Sequence, residues 1–218
     1  MINKIFNLSI YILRYLLILK PRYLVNGKID FGSKKSNLYF KNCLKSAKFY
    51  IEYGAGDSTI LAKKYNKKFI SLEADKSFYS YLKKSIHQIK YLNIGPTKYY
   101  SIPILPIFLI KNKINQYSNY IANISDTFKI VPDFILIDGR FRVLTTLRII
   151  LFLKKEKNVK NITIIVDDYL DRHHYKIIED IIKVNLIGRF GVIKYNAKTK
   201  INLKKLNVAI KKFIYDFR

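Results

Sequence analysis

The residues able to do chemistry fall in a few short stretches. The apolar run Phe49-Tyr50-Ile51-Glu52-Tyr53 ends in Gly54-Ala55-Gly56, and Asp57-Ser58-Thr59 follows. Glycines lack a Cβ, so a turn built on them lets a ligand come close to the main chain. Asp57 or Ser58 is then placed to cap a helix over Thr59 to Tyr65 by accepting from its free N–H groups. The next run, Lys68 to Leu72, delivers Glu73, 17 residues beyond Gly56. That is close to the spacing of about 20 expected of a carboxylate that holds ribose hydroxyls. Strand, glycine turn, helix, strand and acid are, in that order, the parts of a pocket for a nucleoside-bearing cofactor. The two glycines taken alone fit an ordinary tight turn equally well. The third glycine of the dinucleotide fingerprint would fall at Thr59, whose branched side chain argues against nicotinamide and flavin dinucleotides.

Further acids and arginines lie downstream. Pro132 to Ile137 reads as a buried strand ending in Asp138, followed by Gly139-Arg140-Phe141-Arg142, and Ile162 to Val166 as another ending in Asp167-Asp168-Tyr169. Two more strands thus bring acids to the sheet edge that carries Gly54 and Glu73. Singly, each acid is equally well a turn residue or a helix cap. Arg140, Arg142 and Arg172 form a fork-like donor set suited to a carboxylate or phosphate of a substrate. The alternative is that they pair with Asp138, Asp167 and Asp168. His173 and His174 are adjacent and cannot share a helix face as an i, i+4 metal pair does, which argues against a histidine-based zinc site.

The elements that must position these groups alternate between strand and helix patterns, which predicts βα units and a mainly parallel sheet. Asp75 is placed to cap a helix over Ser77 to Ile89, and a strand is expected over Tyr91 to Ile94. The long stretch Gly95 to Val131, with a helix near Ile114 to Ile124, exceeds a usual connection and suits a lid or substrate wall. Tyr117 and Tyr120 there either face a substrate or pack. Tyr175 to Ile182 has an amphipathic helical pattern, and Gly191 to Tyr195 and Asn207 to Ile214 read as strands.

A chain of 218 residues, half of them hydrophobic, suffices for one α/β domain with a proper core. Residues 1–40 are read as an apolar helix and linker, and 41–218 as the domain. Lys and Arg number 41 against 15 Asp and Glu, a formal net charge of +26. Such a surface attracts polyanions, although a genome rich in A and T would inflate lysine in the same way. No zinc finger, arginine-rich arm or base-stacking signature accompanies the charge, so nucleic acid is disfavoured as a partner. Cys43 is the only cysteine, which fits a reducing compartment and a cytoplasmic location. Ile5 to Leu19 is apolar but short for a membrane span and contains Arg14. Residues 1–24 are expected either to dock on the core or a partner copy, or to lie on an anionic membrane at its inner face.

Glu52-Tyr53-Gly54-Ala55-Gly56, with Glu73 closing the next strand, resembles the first two motifs of the class I S-adenosylmethionine-dependent methyltransferases. The resemblance covers residues from about 45 to 195. The combination of Glu52-Tyr53-Gly54-Ala55-Gly56-Asp57-Ser58-Thr59, Asp138-Gly139-Arg140-Phe141-Arg142-Val143, Asp168-Tyr169 and Arg172 is similar to an uncharacterised bacterial methyltransferase-like subgroup. It implies a Rossmann-like α/β fold: a mainly parallel sheet with helices on both faces, closed by an antiparallel carboxyl-terminal strand pair. It also implies S-adenosylmethionine held by Glu52, Gly54, Gly56, Ser58, Thr59 and Glu73. Methyl transfer would then go to an oxygen or nitrogen of a small-molecule or glycan-like acceptor, with Asp138, Asp168 and His173 as candidate bases. His173 has the most suitable unperturbed pKa but reads equally well as a surface residue. In the catechol and caffeoyl type, acids at the positions of Asp138 and Asp167 or Asp168 hold a divalent cation. The nearness of Arg140 disfavours a metal here. The competing class is a non-catalytic Rossmann-like module that holds an anionic polymer or membrane.

Overall fold

The computed structural model of the protein describes residues 24–124, 131–156 and 159–218. Its centre is a seven-stranded sheet. From one edge the strands are β3 (Ile89–Tyr91), β2 (Phe69–Glu73), β1 (Tyr50–Tyr53), β6 (Phe134–Ile137), β7 (Ile162–Val166), β9 (Phe190–Tyr195) and β8 (Asn185–Ile187). Neighbours from β3 to β7 pair in parallel, whereas β9 runs antiparallel to both β7 and β8. β4 (Thr97–Lys98) and β5 (Ile102–Pro103) form a separate antiparallel pair. Every residue of β1 and β6 is buried, which is why these strands read as continuous apolar runs rather than alternating ones.

Helices cover both faces. On one, α1 (Lys34–Ser46), α2 (Asp57–Lys64) and α3 (Lys76–Lys83) bury Phe40, Leu44, Leu61 and Leu82 against Tyr50, Phe134 and Phe190. On the other, α4 (Ile107–Ala122), α5 (Arg142–Lys155) and α6 (Leu203–Phe213) bury Ile114, Leu144 and Ile210 against Ile51, Ile135 and Ile164. Helix α1 runs across residues 40 and 41, and Ile29 and Phe31 ahead of it join the same core. The apolar stretch Ile5 to Leu19, expected to form the helix of residues 1–40, lies outside the described residues. Among the described residues no helix is long and apolar enough to cross a membrane.

The chain moves outward from β1 through β2 and β3, then returns to lay β6 on the other side of β1. Where the strand order reverses, the connections leaving two neighbouring strands diverge and open a crevice at their carboxyl ends. Gly54 and Gly139 meet there. Gly54 has φ +99°, and a Cβ on it would lie 2.6 Å from the backbone nitrogen of Gly139.

Several elements differ from the sequence-based expectation. The expected strand Asn207 to Ile214 is helix α6. Its buried residues Leu206, Ala209, Ile210 and Phe213 follow helical spacing, and the Asn202 side chain caps it by accepting from the Lys205 N–H at 3.0 Å. The antiparallel carboxyl-terminal pair exists, but it is the hairpin of β8 and β9, one element earlier. The amphipathic helix expected after Asp171 is a short 3₁₀ turn, His173–Ile178. Helix α4 begins seven residues before the expected Ile114, directly after Pro106. Helix α3 stops at Lys83 rather than Ile89, which belongs to β3. Asp75 does cap α3, accepting from the Ser77 and Phe78 N–H groups. The cap of α2 is Gly56 rather than Asp57 or Ser58, because both of those side chains are engaged elsewhere.

Candidate functional site

A cavity of about 730 Å³ opens at the carboxyl ends of β1, β2, β6 and β7. That volume suits a nucleoside-sized ligand. Its floor is the glycine turn: Gly54, Ala55, Gly56 and Asp57 line it, and nothing lies within 4 Å of where a Gly56 Cβ would stand.

Glu52 lies beneath this floor rather than on it. Its fully buried carboxylate accepts hydrogen bonds from the hydroxyls of Tyr50, Ser58 and Thr59. Thr59 Oγ1 also accepts from the Gly56 N–H at 2.9 Å. Burial raises the Glu52 pKa, and the hydroxyl donors oppose the rise. Of the six residues expected to hold the cofactor, Gly54, Gly56 and Glu73 line the cavity, whereas Glu52, Ser58 and Thr59 do not. Those three fix the shape of the turn from behind. The sequence placed them beside the glycines without showing which way they face.

Glu73 ends β2 on the cavity wall, with 4% of its surface exposed. Its Oε2 accepts from the Ala55 N–H at 2.9 Å, and its Oε1 from the Asp75 N–H at 2.6 Å and the Ser101 hydroxyl at 2.7 Å. Burial pushes its pKa up, against these donors. Asp57 Oδ1 accepts from the N–H groups of Asn26 and Gly27. It thereby draws Leu24 and Val25 onto the cavity rim.

The other wall is a network of acids and arginines. Arg142 is buried, and its guanidinium lies 2.8 Å from both Asp138 and Asp168. It also donates to the carbonyls of Asp138, Gly139 and Asp167. Arg189 binds Asp167 in bidentate fashion at 2.8 and 2.6 Å and reaches Asp168 at 3.3 Å, and Arg172 reaches Asp168 at 3.2 Å. Burial raises the Asp138 pKa to about 8. The Arg142 cation opposes the rise, and the neighbouring acids Asp167 and Asp168 add to it. At Asp168 burial acts in the same sense, but Arg142 and Arg189 outweigh it and the pKa falls. Asp138 and Asp168 both line the cavity; His173 is exposed and does not.

The pairing alternative for the arginines therefore describes Arg142 and Arg172. Arg140 differs: its Nε donates to the Tyr100 carbonyl at 2.8 Å, and it lines the cavity. Among the described residues no group of three or more histidine, cysteine, aspartate or glutamate side chains is arranged to hold a metal. The Arg142 guanidinium stands between Asp138 and Asp168 where a cation would have to sit, so these residues do not fit a divalent ion.

No protein-family model matches the chain, and no curated protein matches it either. Its fold is similar to that of a crystal structure of a methyltransferase-like protein from Silicibacter pomeroyi. The TM-score is 0.69 at 21% identity, and the match covers 88% of this chain and 100% of that one. The chain has a Rossmann-like α/β fold.

Within that fold, Arg189, Tyr100, Ser101 and the Asp57 tether were not foreseen. Arg189 follows Gly188 in the tight connection between β8 and β9, at the end where Gly191 is paired with Val166. Placing the hairpin one element too late hid an arginine that stands beside Asp167. Tyr100 and Ser101 lie in the long stretch between β3 and α4, where no periodicity assigns a direction to any side chain. Tyr117 is buried, with its hydroxyl 2.7 Å from Thr145 Oγ1, and so serves packing.

Proposed function

We propose that the protein is an S-adenosylmethionine-dependent methyltransferase acting on an oxygen or nitrogen of a small-molecule or glycan-like acceptor. The observation that carries this reading is the Glu73 carboxylate, buried on the cavity wall and hydrogen-bonded to Ala55 inside the glycine turn. It provides a fixed acceptor for ribose hydroxyls beside a glycine turn that lets a ligand approach the main chain, which is what an adenosine moiety requires. When bound, the cofactor supplies a methyl group on a sulfonium, which departs to the acceptor and leaves a neutral thioether.

The chain's own residues have two tasks, alignment and proton removal. Asp138 is the proposed base. It opens on the cavity beside the glycine turn, and a pKa of about 8 lets it take the acceptor's O–H or N–H proton near neutrality. Asp168, held by three guanidinium groups, is better suited to fixing Arg142 and Arg172. Arg140, whose plane is fixed by Tyr100, is the proposed contact for an anionic group of the acceptor. Calorimetric titration with S-adenosylhomocysteine tests the reading: wild type should bind, and Glu73→Ala should bind at least tenfold more weakly. No binding by the wild type would overturn the cofactor reading, and unchanged affinity in the variant would remove Glu73 from the site.

The net charge of +26 favours a second reading, a module that holds an anionic polymer. Salt-sensitive binding to such a polymer, together with no binding of S-adenosylhomocysteine, would select it.

A further inference from the structure

We propose that Ser101 is the second prong of a diol grip, in which Glu73 Oε2 and Ser101 Oγ each accept from one of the two adjacent hydroxyls of a ribose. The inference rests on the cofactor reading above and deepens it. A carboxylate oxygen has room for about two hydrogen bonds. Among the described residues, Glu73 Oε1 already accepts two, from Asp75 and Ser101, whereas Oε2 accepts one, from Ala55. The acid as placed therefore takes one further hydroxyl, not two. Ser101 donates its only proton to Glu73, which leaves the lone pairs of Oγ, bonded directly to the acid, as an acceptor for the second. Both residues line the same cavity.

The backbone supports this role independently. Tyr100 and Ser101 have φ of 59° and 55°, consecutive left-handed conformations in residues other than glycine. Such conformations cost energy, persist only when the surroundings enforce them, and concentrate at ligand sites. Two contacts enforce them here. The β4–β5 pair closes the loop on either side, and Arg140 Nε holds the Tyr100 carbonyl. The consequence is that the Ser101 hydroxyl is turned inward onto Glu73.

The test is titration of the full chain, wild type and Ser101→Ala, with adenosine, 2′-deoxyadenosine and 3′-deoxyadenosine, with thermal denaturation to check folding. The wild type should lose about tenfold in affinity for each missing hydroxyl. Ser101→Ala should bind adenosine about tenfold more weakly than wild type does. It should match wild type for one of the deoxynucleosides, the one lacking the hydroxyl that Ser101 would have held. Undiminished adenosine binding by the variant would overturn the proposal, because Ser101 would then be no more than an occupant of Glu73. An equal loss for all three nucleosides would also overturn it, because the variant would only have loosened the loop. A wild type that binds neither adenosine nor S-adenosylhomocysteine would bring down the cofactor reading, and the diol grip with it.

Discussion

Glu52 lies in β1 and Asp138 just past the end of the neighbouring β6, and burial raises the pKa of both, yet their surroundings give them different tasks. Glu52 is enclosed by three hydroxyl donors, so its replacement acts on stability. Glu52→Ala should lower unfolding free energy by about 3 kcal/mol, because it leaves those hydroxyls buried without their acceptor. Chemical denaturation measures this. Asp138 opens on the cavity, so its titration should appear in the reaction. The proposed methyl transfer should rise with pH to a plateau above about 8, and Asp138→Asn should abolish the rise. Stability should move the opposite way. A carboxyl whose folded pKa lies above its unfolded value binds more protons when folded, so its contribution is present at low pH and is lost as pH climbs. Between about pH 4 and pH 8 the thermal midpoint should therefore fall more steeply in wild type than in Asp138→Asn.

At the scale of elements, Arg142 is the tie between the ends of β6 and β7, since it binds carbonyls or carboxylates from Asp138 through Asp168. Arg142→Met would leave two acids without their shared cation, and breaking a buried pair in this way costs about 3–5 kcal/mol. Because the Asp138 pKa is raised, the loss measured by denaturation should be larger at pH 8 than at pH 5. Helix α6 gives a second test of assignment. Phe213→Ala, on its buried face, should cost about 3 kcal/mol, while Val208→Ser, on the exposed face, should stay within about 0.5 kcal/mol. The parallel strands and the glycine turn were legible because continuous apolar runs ending in acids have few other solutions. Helix α6 stands where a strand was expected, over Asn207 to Ile214, although the spacing of its buried residues Leu206, Ala209, Ile210 and Phe213 is helical. Ser101, by contrast, owes its place to two unusual backbone angles in a loop, and Arg189 to pairing across the sheet. Local sequence carries neither.

For the whole molecule, the excess of cations is the dominant global term. Several of the few acids, among them Asp138, Asp167 and Asp168, are already committed to internal pairs, so the surface faces solvent with little compensation. Raising ionic strength from about 0.05 to 0.5 M should therefore raise the thermal midpoint through screening of self-repulsion, as a melting series would show. The back-to-back approach of Gly54 and Gly139 has a consequence of another kind. A methyl group on Gly54 would stand 2.6 Å from the Gly139 nitrogen, and one on Gly139 would press on the Gly54 and Tyr53 backbone at 3.2 Å, so this crossing of β1 and β6 offers mutation little to work on. The rim is the reverse: Leu24 and Val25 lie ahead of α1, and Tyr100, Ser101 and Arg140 lie outside the strands of the main sheet, so their exchange need not disturb it. New ligand preferences in this scaffold would be written on its loops more readily than where Gly54 and Gly139 meet.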